Sequence, residues 1–186
     1  MPNLSHLPTP HPLTPLRRRS GTRFTLASVC AAVAWVAGAS APALANTAAP
    51  AINPVVVAQG LANPWGFAFL PDGRFLVTER TGNLRVVEAN GSVGPPLAGL
   101  PRISAGGQGG LLDVVLDVGF ERNRTLYFCF SEAGNGGSST ALARAELSAD
   151  ATRLNQVKVI FSQQPKVSSN LHFGCRIAEA RDGTLF

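Results

Sequence analysis

From Trp65 onward no window of the chain repeats its apolar residues at helical spacing. Short apolar segments are instead cut by turns every few residues, a pattern that a sheet of short strands can bury and a helix cannot. Trp65, Phe67 and Phe69 alternate with Gly66 and Ala68, so successive side chains fall on opposite faces of a strand. Pro71-Asp72-Gly73 then turns the chain into Phe75–Thr78, Gly82-Asn83 turns it again into Leu84–Val87, and Asn90-Gly91 ends that strand. Further strands are expected over Leu111–Leu116, Thr125–Ser131, Thr140–Leu147, Val157–Ser162 and Arg176–Glu179. Strands joined by such short connections pair as an antiparallel meander.

One unit recurs within this meander: an apolar strand, a turn containing Asp or Gly, then a second hydrophobic strand. It occurs around Gly66–Val77, Leu112–Phe128 and Ile177–Phe186, and aligning Phe75, Leu126 and Leu185 gives steps of 51 and 59 residues. Repeats of about 40 to 50 residues with four short strands each are the signature of propeller blades, lengthened here by insertions. The fold class expected is therefore all-β, a β-propeller of which this chain carries two to three blades. An ordinary β-sandwich, whose turns also use Asp-Gly, is the alternative. Asp182-Gly183 opens a turn into Thr184-Leu185-Phe186, a strand without a partner, so the chain is expected to be the N-terminal part of a longer protein, truncated at its C-terminus.

Ahead of the meander lies a stretch of a different kind. Arg17–Arg19 and Arg23 are followed by an apolar run from Phe24 to about Ala39 and then by Ala43-Leu44-Ala45, the order of parts in a removable export signal. Residues 1–45 are read as that signal, 46–54 as a flexible lead-in and 55–186 as the propeller part. The apolar run is shorter and richer in Ala, Ser and Gly than the roughly 20 apolar residues of a spanning helix, so no stable membrane insertion is expected after the signal is removed. Export implies a periplasmic or secreted protein. It also resolves the charge: of 16 basic residues four leave with the leader, and the remaining 12 stand against 11 acids. A net charge of +1 with scattered Lys and Arg excludes a nucleic-acid partner. Cys129 and Cys175 remain after Cys30 departs, and they are compatible either with one disulfide or with two buried thiols.

Two segments could carry chemistry. Ala105–Asp113 sets Gln108 among four glycines, so that backbone can approach a ligand while the amide offers both donor and acceptor. The stretch lacks the Gly-Lys-Ser/Thr ending of a phosphate loop, which disfavours nucleotide binding. In Ser168–Arg176 a polar loop leads into His172, the sole imidazole outside the leader, placed where a loop-to-strand edge can face a cavity. Histidine is the residue type best suited to act as a general base near neutral pH.

The order and wording of these segments resemble the soluble pyrroloquinoline-quinone-dependent aldose sugar dehydrogenases of the glucose/sorbosone dehydrogenase family. The resemblance runs through Leu61–Gly73 (LANPWGFAFLPDG), Arg80–Arg85 (RTGNLR), Gly106–Leu116 (GGQGGLLDVVL) and His172–Arg176 (HFGCR), nearly the whole chain after the leader. It implies a six-bladed propeller in the complete protein, with pyrroloquinoline quinone and calcium as cofactors and an aldose as substrate. It further implies that His172 is the catalytic base, that Gln108 faces the sugar, and that an electron acceptor, unidentified, re-oxidises the quinone. The residues that hold the quinone and ligate calcium would lie beyond Phe186, with no metal site in this part.

Two positions depart from the family pattern. Leu171 precedes the base where glucose dehydrogenases of the family can carry a carboxylate that contacts sugar, and Cys175 replaces a small residue. The competing reading from another class is a non-catalytic extracellular propeller that binds sugar or protein; the presence of both Gln108 and His172 favours the enzyme.

Overall fold

The computed structural model describes residues 52–186, so the expectations for the export signal and for most of the lead-in lie outside the described residues. Strands β1 (Pro64–Phe69), β2 (Phe75–Glu79), β3 (Asn83–Val87) and β4 (Val93–Pro96) form one antiparallel sheet in chain order. Strands β5 (Leu111–Leu116), β6 (Thr125–Gly134), β7 (Gly137–Leu147) and β8 (Leu154–Ser162) form a second. These are two propeller blades, each a four-stranded meander. The repeat read from the sequence falls on equivalent positions: Phe75 pairs with Phe69 and Leu126 with Leu116 at the openings of β2 and β6, and Leu185 bridges Glu179 in a third hairpin.

Three features differ from the sequence reading. Strand β4 carries Pro95 and Pro96, which mask it as a strand; it is the last strand of its sheet, where a missing N–H costs no ladder bond on the open side. A single helical turn, α1 (Phe120–Asn123), joins β5 to β6; four residues are too few to display a helical period. The strand expected over Arg176–Glu179 is reduced to pairing from Ala178, whose backbone exchanges hydrogen bonds with Phe186 at 2.8 and 2.9 Å. Its first half is engaged elsewhere, since the N–H of Ile177 donates to the Asp113 carboxylate.

The main core lies between the sheets. Leu76, Leu84 and Val86 of the first sheet pack with Leu111, Val114, Leu126, Phe128 and Phe130 of the second. Along β7 burial alternates strictly, and Ala141, Ala143 and Ala145 put the core face on small side chains. At the junction the buried Thr78 hydroxyl donates to the Leu112 carbonyl at 2.5 Å and accepts the Gly66 N–H at 2.8 Å, so a polar group inside the stack is satisfied across it. A second cluster, Leu112, Cys129, Phe173 and Ile177, occupies the other face of β5 and β6. It seats the segment that follows His172 on the second blade. Among the described residues no helix is long and apolar enough to cross a membrane.

Two carboxylates brace the blades. Lys166 lies 2.7 Å from Glu132 and, with the Ser162 hydroxyl, holds that carboxyl below the usual glutamate range. Burial of Glu79 opposes its ionisation, but the Ala62 N–H, the Asn83 amide and the Arg85 guanidinium outweigh burial and lower its pKa as well. Arg85 Nε lies 2.9 Å from Glu79 without an aligned hydrogen bond, so that contact is one of charge. A carboxyl depressed on folding adds stability above its unfolded value, ordinarily about 4.5, and loses it as pH falls through the lower folded value. Urea midpoints are therefore expected to hold from pH 7 to about 5 and to fall from there downward, with a shallower fall in Glu132→Gln. Equal slopes in the parent and the variant would remove Glu132 from the account.

Candidate functional site

The loop bearing Gln108 is a tight turn at the entrance to β5. Gly106 and Gly109 exchange backbone hydrogen bonds at 3.3 and 2.8 Å, and the Gly110 carbonyl accepts the Ser131 N–H of β6 at 2.9 Å. Glycine is required at two points. Gly107 has φ +54°, and a Cβ there would meet the Asn170 carbonyl; Gly110 has φ +153°, and a Cβ there would run into the Arg80 carbonyl. The Arg80 guanidinium in turn donates to the Gly107 carbonyl. Gly110→Ala is accordingly expected to lower the thermal midpoint by several degrees, because backbone must move to admit the methyl group. A midpoint within about a degree of the parent would show that the loop gives way freely.

The structure brings the two predicted site residues together. The Gln108 N–H donates to the Asn170 carbonyl at 2.8 Å, and Gln108 Oε1 accepts the backbone N–H of His172 at 2.6 Å. Loop 106–109 and loop 170–172 are thus laced by a reciprocal pair, with both predicted side chains exposed at the surface. Gln108 Oε1 is committed to the His172 backbone, which leaves its amide NH2 to face a ligand. His172 has φ +62°, a left-handed conformation unusual for a residue with a Cβ and often found where function demands a fixed direction. Leu171 is exposed beside it, its N–H held by Ser169 Oγ at 3.2 Å.

Behind the site the chain is firmly seated. Phe173 is buried against Gly109, and its carbonyl accepts the Thr140 hydroxyl at 2.7 Å. The alternatives left open for the cysteines resolve as a disulfide between Cys129 of β6 and Cys175, closing a span of 46 residues. Two cavities flank the paired loops, one of about 520 Å³ along Ser104, Ser138 and Ser168–Asn170, the other of about 240 Å³ between Asn63, Arg80, Thr81 and the glycine loop. Three contributors, Asn170, Arg80 and Asp113, lie inside segments quoted from the sequence but were given no role there. Asp113 alone carried a signal, a carboxylate inside the apolar strand LLDVVL. As to cofactors, among the described residues no group of three or more His, Cys, Asp or Glu side chains is placed to hold a metal ion. Arg80 and Arg176 are the cationic side chains next to the loops. The first is engaged with Gly107 and the second projects largely into solvent near Asp113, so these residues do not form a cradle for a tricarboxylate quinone.

Comparison with known proteins gives the family of the chain. The family model described as Glucose / Sorbosone dehydrogenase matches residues 61–186. Aldose sugar dehydrogenase YliI of Escherichia coli (strain K12) is 42% identical over 142 residues, covering 75% of this chain and 38% of that protein. A crystal structure of a glucose dehydrogenase superposes with a TM-score of 0.67 at 45% identity, over 69% of this chain and 38% of that one. The pyrroloquinoline-quinone-bound form of Aldose Sugar Dehydrogenase from Streptomyces coelicolor does so with a TM-score of 0.61 at 30% identity, again over 69% of this chain and 38% of the other. The chain therefore spans less than half the length of the relatives it matches.

Proposed function

The chain belongs to the glucose/sorbosone dehydrogenase family, and from that premise we propose that the protein carrying it oxidises an aldose at C1 to the lactone. The observation that carries the proposal is the direct hydrogen bond from the His172 backbone to the Gln108 side chain, which joins the two candidate residues in one exposed site. His172 takes the proton of the C1 hydroxyl; as that oxygen gains negative charge, departure of hydride from C1 becomes easier. Pyrroloquinoline quinone, bound in the solved structure from Streptomyces coelicolor, would supply the hydride acceptor in the protein of the relatives' length. Calcium, export to the periplasm or exterior, and an external electron acceptor for the reduced quinone are parts of the same reading. The Gln108 amide NH2 orients the sugar hydroxyls.

The test is reconstitution of the protein at the relatives' length with quinone and calcium, followed by dye reduction on adding aldoses. Sugar-dependent reduction supports the proposal, and binding of sugar without reduction would favour the non-catalytic propeller. Gln108→Ala is expected to raise KM several-fold, through lost sugar contacts, and to lower kcat less. A fall in kcat with KM unchanged would instead assign Gln108 to the chemical step.

A further inference from the structure

We infer that Asp113 and the Cys129–Cys175 disulfide are positioning groups for His172: they pin residues 173–177 to β5 and β6 and so hold His172 in its left-handed conformation against the Gln108 loop. The inference rests on the reading of His172 as the base. Residues Ser168–His172 are exposed, so the loop before the imidazole is held by hydrogen bonds alone. A residue with a Cβ keeps φ +62° only where its surroundings overdetermine it. The Gln108 side-chain oxygen holds the His172 N–H, and the chain after His172 adds further constraints of its own.

There the ties converge on one point. The Asp113 side chain, 3% exposed, accepts the Ile177 N–H on Oδ2 at 2.9 Å, and Arg176 approaches its Oδ1 at 3.4 Å. The backbone N–H of the same residue donates to Cys129 Sγ at 3.3 Å, and Cys129 is bonded to Cys175. A carboxylate is costly to bury in an apolar strand, and this one uses its acceptor on the backbone of the segment that carries the base. The disulfide reaches that segment from the neighbouring strand, three residues after His172. Between His172 and these anchors Gly174, at φ +25°, gives the turn, and Phe173 fills the space under Gly109. Cys129 belongs to the second cluster with Phe173 and Ile177, so the disulfide acts on the His172 segment, while Asp113 also lies against Gly66 of β1.

The test uses the full 186-residue chain and needs no turnover, which separates its failure from failure of the enzymatic reading. Hydrogen–deuterium exchange is followed by mass spectrometry in peptides covering 168–178 and, as an internal control, 125–147, while diethyl pyrocarbonate reports the accessibility of the His172 imidazole. In Asp113→Ala and in Cys175→Ser, exchange over 168–178 is expected to rise about tenfold and carbethoxylation of His172 to change in rate, with 125–147 unaltered. Asp113→Asn, which keeps an oxygen for the Ile177 N–H, should restore the parent behaviour within about twofold. The inference is overturned if exchange over 168–178 stays at the parent rate in both disruptive variants. It is equally overturned if 125–147 loses protection in step, because the ties would then be general supports of the blade.

Discussion

His172→Ala is expected to lower the turnover of a reconstituted protein at saturating aldose by about 100-fold or more, the scale of losing a positioned general base. The imidazole is exposed and makes no core contact, so its removal leaves the fold unchanged. The lacing of the loops survives too, since it uses the His172 backbone N–H and not the ring. The loss should therefore appear in kcat and kcat/KM together, with quinone binding and thermal midpoint retained. His172→Gln, which keeps polarity but cannot take up a proton at neutral pH, should be nearly as slow. Near-parental turnover in either variant would remove His172 from the chemistry.

Phe128→Ala is expected to have the largest effect on stability. The ring is wholly buried in β6, between the two sheets and 5.8 Å from the Phe130 ring, and its deletion leaves a cavity that the strand ladders on either side cannot close. Such a change costs about 3–5 kcal/mol, a large share of the roughly 5–15 kcal/mol that holds a domain folded. Denaturant titration of Phe128→Ala against Phe67→Ala makes the comparison, because Phe67 is 59% exposed and its removal should cost under about 1 kcal/mol. Equal losses would mean that the intersheet core is not where the stability resides.

That contrast shows how far the sequence could be read. Period-two alternation identified the strand of Phe67, the strand of Phe128 was expected as an apolar segment cut off by turns, and the turns at Asp72-Gly73 and Gly82-Asn83 gave the antiparallel order. Nothing in the alternation says which strand face meets another sheet, and Phe67 and Phe128 look alike as apolar strand residues. The repeat spacing was legible because equivalent strand openings recur. Strand β4 was not, because two prolines hide an edge strand whose pairing depends on its neighbour. At the site, Gln108 and His172 stood out by type and setting, while the bond between them joins residues 64 apart and needs the fold to be seen. The disulfide was left open for the same reason: whether two cysteines pair depends on the approach of β6 to the third hairpin.

The central claim is that the paired loops of Gln108 and His172 belong to a site that removes hydride from C1 of an aldose as His172 takes up the hydroxyl proton. Turnover of an aldose deuterated at C1, with the sugar product identified by proton NMR, tests it most directly in the reconstituted protein of the relatives' length. The account predicts a primary isotope effect on single-turnover quinone reduction, a lactone as first product, and a rate of quinone reduction lower by about 100-fold in His172→Ala. Oxidation at another carbon, or a parental rate and isotope effect in His172→Ala, would contradict it.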